Sequence, residues 1–368
     1  MAASFVSGLE LASLYYADAV RPLLDDEFRG LRHTAALIGP GSEVLGFDSA
    51  RSTDHNWGPR LQLFLSDADD AAGLALRVSD MLTVRLPAAF RGHPTAFPRS
   101  GAPDAAPAHW VTVAGMRRWV IGALGFDPTQ QIALHDWLAA PTQVLAELTG
   151  GDVFHDGLAD TGGQGGGLTA VRAALAWYPR DIWLYVLACQ WQRISQEEAF
   201  PGRCAEVGDE LGSAVVTARL VRDLMRLVLL MQRRYPPYTK WLGSAVARTA
   251  AAGQLLPALT AAVTAANWAD RERAISAAYE AAARLHNSIG VTPPFEETVR
   301  PTYYDRPYRV PGASRFVRAL RAQITAETVR ELPLIGAVDQ FIDSTDAIGD
   351  SALLRAAVGP LSPRRASA

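Results

Sequence analysis

The sequence predicts an α+β protein, in which a small α/β domain with a mixed sheet (residues 1–160) precedes a larger all-helical domain (residues 161–368). Three observations support this prediction. Short apolar runs beside glycine or polar turns alternate with helical segments in the first part of the chain. A glycine-rich stretch at 161–167 has the composition of a flexible linker. Beyond it, apolar residues recur mostly at helical spacing.

The α/β domain is predicted to contain three strands. They are the apolar runs at residues 35–38, 60–65 and 111–113. The segment 8–28 has apolar side chains at helical spacing, and Pro22 is expected to kink or restart this helix. A second helix is expected over 68–86 with Asp67 as its N-cap, and Asp127-Pro128 is expected to begin another.

The second domain is predicted to be helical throughout, apart from one proline-rich segment at 292–311. The predicted helices cover residues 168–177, 180–199, 206–234, 238–250, 254–267, 268–287, 313–327 and 333–343. We find no internal repeat of fixed period.

The composition argues against some classes of partner. The chain has 35 basic and 38 acidic residues and a net charge of −3, whereas a general nucleic-acid binder is usually strongly basic. Its first twenty residues contain no Lys or Arg, and no stretch approaches the roughly 18 apolar residues that span a bilayer. We therefore expect a cytoplasmic protein that binds neither nucleic acid nor membrane. The composition does not determine its oligomeric state.

A candidate phosphate site follows the first predicted strand. Gly41 has no Cβ and lets the backbone approach a phosphate, and Ser42 offers a hydroxyl and an amide at an expected helix start, where the dipole favours phosphate oxygens. Asp54 and Asn56 lie two residues apart beside the second strand. On an extended chain they face the same side and can hold one Mg²⁺. In such sites a third acid on a neighbouring strand completes a two-metal centre or serves as the base.

Several stretches of the chain resemble a known family. They are residues 36–48, 52–61, 177–179, 196–200, 222–226 and 235–242. Over most of its length the chain is similar to the bacterial family called domain of unknown function 4037, within the nucleotidyltransferase superfamily. The resemblance implies an α/β nucleotidyltransferase core followed by a helical domain. It also implies ATP or another NTP as a substrate in the interdomain cleft, Mg²⁺ as a cofactor and a small-molecule acceptor.

The chain departs from the family's pattern at the metal-binding acids. Typical members have Asp-His-Asp where this chain has Asp54-His55-Asn56. The amide oxygen of Asn56 can contact Mg²⁺ but brings no charge, and the third strand presents Thr112 where an acid is expected. Three interpretations follow: a metal-dependent nucleotidyltransferase, a degenerate protein that binds a ligand or partner without catalysis, and a metal-independent enzyme on the same fold.

Two further roles have alternatives. His55 is either a catalytic base or ligand, or a structural residue that faces away from Asp54 and Asn56 on a regular strand. Asp67 and Asp69 form a second pair of acids two residues apart, for which helix capping is the alternative to metal binding.

One helix face of the second domain combines Arg219, Arg222, Asp223 and Arg226 at helical spacing. The guanidinium groups suit recognition of a triphosphate or a carboxylate, and salt bridges between helices are the alternative. Just beyond this helix, Tyr238 precedes the only lysine of the chain, Lys240. An ammonium group is not interchangeable with a guanidinium, so we expect Lys240 to have a specific role in holding phosphates, with Tyr238, Arg222 and Arg226 nearby.

Glu197 and Glu198 are candidate catalytic bases toward an acceptor hydroxyl. They end the predicted helix over 180–199. Arg193 lies four residues before Glu197, so an ion pair within the helix is the alternative role for Glu197.

Overall fold

A computed structural model of the chain describes residues 5–54, 57–98, 107–159 and 166–359. These residues form two compact units. The first contains the described residues up to Ala133 together with those of Val144–Ala176, and the second contains Leu134–Gln143 together with those from Trp177 onward. The boundary predicted after residue 160 and most of the predicted linker fall at 160–165, outside the described residues.

Seven strands lie in the described part of the first unit: β1 (Thr34–Leu37), β2 (Arg60–Leu65), β3 (Ala89–Phe90), β4 (His93–Pro94), β5 (Ala96–Phe97), β6 (Ala108–Gly115) and β7 (Asp152–Asp156). Five of them form one sheet in the order β5-β6-β2-β1-β7. β1 is antiparallel to β2 and β7, β6 is parallel to β2, and β5 is antiparallel to β6. This mixed sheet, with the many helices described below, confirms the predicted α+β class.

The three predicted strands are confirmed as β1, β2 and β6. β2 spans the predicted residues, and β6 extends beyond the predicted run at both ends. β7 was not predicted. It is five residues long, has an acid at each end and lies at the sheet edge with its side chains partly or fully exposed. A short edge strand of this kind has no apolar run to reveal it.

The helices up to residue 174 are α1 (Gly8–Tyr15), α2 (Arg21–Glu27), α3 (Asp67–Ala71), α4 (Leu74–Arg85), α5 (Met116–Leu124), α6 (Leu134–Ala139), α7 (Thr142–Thr149) and α8 (Gly167–Ala174). A π-helical turn at Tyr16–Val20 joins α1 to α2. Pro22 follows just after this π-helical turn, and Val20 and Arg21 keep right-handed helical dihedral angles. The irregularity expected at Pro22 is therefore a π-helical turn within a continuous helical segment, and the helix does not restart there.

The predicted helix over 68–86 is two helices, α3 and α4. The chain breaks at Gly73, which has a φ of 80°, a left-handed conformation that glycine adopts at little cost. The N-cap of α3 is Ser66 and not Asp67, because the Ser66 hydroxyl accepts a hydrogen bond from the Asp69 amide at 3.0 Å. A hydroxyl and a carboxylate are both good caps, so the sequence did not distinguish these neighbours.

The prediction of a helix starting at Asp127-Pro128 is wrong. The Asp127 carboxylate instead accepts hydrogen bonds from the amide and hydroxyl of Thr129, at 3.0 and 2.7 Å, and pairs with Arg117. The bond from the Thr129 amide to the Asp127 carboxylate closes an Asx turn, a local structure that competes with helix formation.

The second unit is helical: after α6 it contains α9 (Arg180–Glu197), α10 (Phe200–Glu206), α11 (Glu210–Met231), α12 (Thr239–Ala247), α13 (Ala252–Thr264), α14 (Trp268–Ser288), α15 (Ser314–Ala322), α16 (Glu327–Arg330), α17 (Thr345–Ile348) and α18 (Ser351–Val358). The predicted helix over 206–234 begins later, at α11, after a turn that contains Gly208 (φ 77°). The helix predicted over 333–343 is wrong. That segment contains only a 3-10 turn, Val338–Gln340.

Each unit has its own buried core. In the first, the helical segment containing Tyr15 and Val20 and helix α4 pack with Leu61 and Leu63 of β2. In the second, α9 is central: the ten consecutive residues 182–191 are all buried. A helix enclosed on all sides has no polar face. None of the described helices is both long and apolar enough to cross a membrane.

Candidate functional site

The turn after β1 differs from the one that the sequence predicted. The chain turns through residues 42–46, where the Phe47 amide donates to the Ser42 carbonyl and the Gly46 amide donates to the Glu43 carbonyl, at 2.7 and 3.0 Å. No helix begins at Ser42, so the expectation of a helix start there is wrong. Without a helix, no aligned row of peptide dipoles points at a phosphate beside Ser42.

A protein side chain occupies the space beside Gly41. A Cβ at this position would lie 2.1 Å from Nη2 of Arg60 and 2.8 Å from Oε2 of Glu43. Arg60 forms an ion pair with Glu43 (Nε to Oε1, 2.7 Å) and donates from Nη2 to the Pro40 carbonyl at 2.7 Å. The Glu43 side chain is only 2% exposed. The lack of a Cβ at Gly41 is therefore explained by an internal ion pair.

Asp54, one of the two predicted metal-binding residues, does not lie on an extended strand. Asp54 ends a 3-10 helix, Ala50–Asp54, and β2 begins only at Arg60. The strand alternation used to place Asp54 and Asn56 on one face therefore does not apply to Asp54. His55 and Asn56 lie outside the described residues. Binding of Mg²⁺ by Asp54 and Asn56, and catalysis by His55, remain predictions.

Beside the predicted metal site, strands β2 and β6 present the side-chain amide of Gln62 and the hydroxyl of Thr112. Thr112 of β6 is in register with Gln62 of β2. The Gln62 side chain is committed to the backbone of Ile38: Oε1 accepts from its amide and Nε2 donates to its carbonyl, both at 3.0 Å. Within the described ranges, no three His, Cys, Asp or Glu side chains come together as a metal site would require.

The acidic cluster at the start of α3 stabilises a chain junction. Asp69 accepts a hydrogen bond from the Ser66 hydroxyl at 2.6 Å, and Asp67 accepts one from the Arg118 amide at 3.3 Å. Asp70 accepts from the Gly115 amide at 3.0 Å and pairs with the Arg118 guanidinium at 2.9 Å. These contacts give the acids a structural role: Asp67 and Asp70 bind backbone amides at the start of α5 and so tie α3 to the junction of β6 and α5.

The arginines on the predicted face of α11 are all in ion pairs. Arg219 pairs with Glu197 at 3.1 Å, and Arg222 pairs with Asp343 at 2.8 Å. Arg226 pairs with Asp339 at 2.6 Å. The structure therefore shows the salt-bridge alternative. The alternative considered for Glu197, an intrahelical pair with Arg193, is not formed, because Arg193 pairs with Asp223 at 3.4 Å.

Arg226 and Asp339 line a small pocket in the second unit, which we call the Asp339 pocket. Its walls are Pro141, Thr142, Gln143, Arg226, Pro236, Tyr238, Thr239, Asp339, Ile342, Asp343, Thr345 and Ile348. Its enclosed volume is about 20 Å³. That volume holds about one water molecule or the end of a small ligand. Of the predicted nucleotide-binding residues, the pocket brings together Arg226 and Tyr238.

The Asp339 carboxylate is bonded on one side only. Oδ2 accepts from Arg226 Nη2 at 2.6 Å and from the Thr142 hydroxyl, which also lies 2.6 Å from the Pro236 carbonyl. Oδ1 is buried and receives no hydrogen bond. A buried acceptor without a donor costs about 1–3 kcal/mol, and more when it is charged. The sequence offered no signal for Asp339 or Thr142.

Lys240 lies in the first turn of α12, next to Tyr238 and Thr239 of the pocket wall. It is exposed and forms no ion pair with any described residue. Its Nζ lies 4.9 Å from the ring centroid of Trp241. A cation is disfavoured at the positive end of a helix, and the first turn of α12 contains no acid to offset it. Helix stability therefore does not explain the position of Lys240.

Glu197 and Glu198 are not among the residues that line the Asp339 pocket. Glu198 is 8% exposed and accepts a hydrogen bond from the Ala313 amide at 2.9 Å. Burial raises the pKa of Glu198 to about 7, although the Ala313 amide and two arginines oppose this shift. A carboxyl group with a pKa near neutrality can act as an acid or a base, but this one faces the protein interior.

The comparisons with known proteins support part of the resemblance. Residues 137–242 match the model of a family described as a domain of unknown function, DUF4037. The match includes the stretches 177–179, 196–200, 222–226 and 235–242, and therefore Lys240. It does not include residues 36–61. No curated protein and no solved structure matches the chain.

Proposed function

We propose that this protein is a nucleotidyltransferase-like protein that binds an NTP, such as ATP, and acts on a small-molecule acceptor. The observation that carries the proposal is Lys240. The only lysine of the chain stands exposed and without an ion pair at the N-terminus of α12, beside a pocket lined by Arg226 and Tyr238. Without an anion, the ammonium group of Lys240 is repelled by the positive end of the helix dipole. A bound phosphate would be attracted by both.

The arrangement of the first unit is compatible with this proposal. A glycine–serine turn follows β1, Asp54 precedes β2, and β6 runs parallel to β2. In the proposed enzyme, Ser42 contacts phosphate oxygens together with the guanidinium of Arg60, which fills the space beside Gly41. Asp54 and Asn56 hold one Mg²⁺ there. This part of the proposal rests on the sequence motif.

Calorimetric titration with the four NTPs in the presence of Mg²⁺ tests nucleotide binding. We expect binding of at least one NTP at millimolar concentration or below, and at least tenfold weaker binding by Lys240→Ala. Arg284→Ala is the matched control, since Arg284 is an exposed cation on α14 with no described ion pair. The proposal fails if no NTP gives a signal, or if both substitutions weaken binding equally.

A second candidate function is binding without catalysis. The observation that favours it is the Arg60–Glu43 ion pair beside Gly41, because it supplies a structural reason for the glycine that a phosphate site would otherwise explain. The variant Asn56→Asp restores the family's second acid. If it binds metal and nucleotide where the natural protein binds neither, the noncatalytic function is favoured. Turnover of an NTP by the natural protein excludes it.

A turnover assay also tests the metal-independent alternative, in which His55 or Glu198 is the base. Activity that persists in EDTA and disappears in Lys240→Arg would support that alternative, because a guanidinium keeps the charge of Lys240 but not its compact shape. Activity that EDTA abolishes and Lys240→Arg retains would assign the reaction to the metal.

A further inference from the structure

The start of α12, which carries Lys240, is anchored by two consecutive residues of α7. The Tyr238 amide donates a hydrogen bond to Oε1 of Gln143 at 2.8 Å. Oγ1 of Thr142 lies within hydrogen-bonding distance of the Pro236 carbonyl oxygen, at 2.6 Å. Both anchors belong to the second unit, although they lie 95 and 94 residues away in the sequence from the groups that they hold.

The segment that enters α12 has few other supports. Pro236 and Pro237 are buried, and each proline ring fixes its φ near about −65°. Tyr238 is the N-cap of α12, but its side chain makes no capping hydrogen bond. The N-terminus of a helix leaves its first amides without a partner inside the helix, and here the oxygen of Gln143 satisfies one of them.

Thr142 is in turn held by a buried ion pair. Its amide donates to Oδ2 of Asp339 at 3.4 Å, and its hydroxyl contacts the same oxygen. Arg226 pairs with that oxygen at 2.6 Å, and both Arg226 and Asp339 are buried. The first turn of α7 is therefore fixed against the second unit before it contacts the segment at Pro236.

The anchors are buried, whereas the cation that they carry is exposed. Thr142 is 3% exposed and Gln143 is 9% exposed, while Lys240 stands exposed two residues after Tyr238. A shift of Tyr238 would move the backbone from which the lysine side chain extends. A misplacement of a binding group by about 1 Å can cost up to about 100-fold in a reaction that depends on it.

We propose that Gln143 is a positioning residue for Lys240 and sets where the ammonium group meets the phosphates of a bound NTP. Gln143 acts through the Tyr238 amide and not through contact with a phosphate, and Thr142 supports the same segment at Pro236. The proposal rests on the proposed function, in which Lys240 binds phosphates.

A double-mutant cycle distinguishes positioning from a purely structural role. Gln143→Met keeps the length of the side chain and removes the acceptor oxygen, and calorimetry with ATP and with inorganic triphosphate in the presence of Mg²⁺ measures affinity. We expect Gln143→Met to weaken binding at least fivefold in the natural protein and at most twofold in the Lys240→Ala background, because two residues that act through one group are not additive. An equal loss in both backgrounds would overturn the proposal.

The matched control is Asn287→Leu. Oδ1 of Asn287 accepts a hydrogen bond from the Phe295 amide at 2.9 Å, so this variant also removes a bond from a side-chain amide to the backbone of the second unit. It should change the affinity for either probe by less than twofold. If it weakens binding as much as Gln143→Met does, general loss of stability explains both variants and Gln143 has no positioning role.

Hydrogen exchange followed by NMR tests the anchor itself in the absence of any nucleotide. The Tyr238 amide should exchange at least tenfold faster in Gln143→Met and in Gln143→Asn, whose shorter side chain does not reach it. Gln143→Glu keeps an acceptor oxygen and should restore slow exchange. Unchanged exchange of the Tyr238 amide in the folded Met and Asn variants would refute the proposal.

The same measurements separate this proposal from the proposed function. If neither ATP nor inorganic triphosphate binds the natural protein, the phosphate-binding role of Lys240 fails, and the positioning role fails with it. If a probe binds and Lys240→Ala weakens that binding, but Gln143→Met leaves the affinity unchanged, only the role of Gln143 is wrong. If inorganic triphosphate binds and ATP does not, the cycle with triphosphate decides the role of Gln143, while ATP is excluded as the nucleotide.

Discussion

The guanidinium of Arg60 lies against the carboxylate of Glu43, with 2.7 Å between Nε and Oε1, beside the backbone of Gly41. Glu43 is almost completely buried, and the side chain of Arg60 is 19% exposed. This ion pair fills the space that a phosphate would need closest to Gly41. It also ties the turn after β1 to the first residue of β2, so it stabilises the sheet at the predicted site.

Loss of this ion pair should destabilise the protein. Glu43→Gln leaves a largely buried guanidinium without its counter-charge, and we expect the free energy of unfolding to fall by about 3 kcal/mol. Urea denaturation measures this change. The control is Asp26→Asn, which removes an exposed partner of Arg85 in the same unit and should cost less than about 1 kcal/mol. Similar losses in the two variants would contradict the structural role of Glu43.

Two arginines on α11 should differ in their effect on stability. Arg226 and its partner Asp339 are both buried, so Arg226→Met leaves a buried charge unpaired and should lower the free energy of unfolding by about 3–5 kcal/mol. Arg222 pairs with Asp343, whose side chain is 64% exposed, and Arg222→Met should cost about 1 kcal/mol or less. Thermal or urea unfolding compares the variants directly. A larger loss in Arg222→Met than in Arg226→Met would be the contrary result.

The buried carboxyl of Glu198 should make stability depend on pH. Burial raises the pKa of Glu198 from 4.5 to about 7 in the folded protein. Between these values the folded state keeps a proton that the unfolded state has released. The contribution of Glu198 to the free energy of unfolding therefore falls as pH rises through this window, by about 3 kcal/mol in total.

The variant Glu198→Gln removes this dependence, since its amide oxygen can still accept from the Ala313 amide. Relative to the natural protein, the variant should gain about 3 kcal/mol in stability between pH 4.5 and pH 8. Urea denaturation at the two pH values measures this. Glu327→Gln, on an exposed position of α16, should follow the natural protein at both. A constant difference between Glu198→Gln and the natural protein would show that Glu198 does not titrate in this range.

Two glycines of the first unit should respond oppositely to alanine. Gly73 has a φ of 80°, so Gly73→Ala should destabilise by about 1 kcal/mol although no atom obstructs a Cβ. Gly122 lies inside α5 with open space at the Cβ position, and Gly122→Ala should stabilise by about 0.5–1 kcal/mol. Differential scanning calorimetry of the two variants checks both signs. Stabilisation by Gly73→Ala would show that residue 73 does not adopt a left-handed backbone conformation between α3 and α4.

Local patterns predicted most of the regular structure. β2 was predicted at its observed residues, and α9 and α14 within two residues of theirs, because runs of apolar residues and their spacing depend only on neighbours. The errors have local causes too. A left-handed glycine at Gly73 splits a helix, and an Asx turn replaces one at Asp127. The edge strand β7 has no apolar run, so its pairing with β1 was not visible.

The sequence by itself determined the α+β class, three strands of the main sheet, most of the long helices and the exceptional status of Lys240, since each follows from local spacing or from composition. Only the tertiary structure decided which charges meet. Arg226 pairs with Asp339, which lies 113 residues away in the sequence, and Asp339 accepts a hydrogen bond from Thr142, 197 residues away. Burial makes such partners necessary, because an unpaired charge is costly away from water. Which partners are available depends on the path of the whole chain, and no local pattern encodes it.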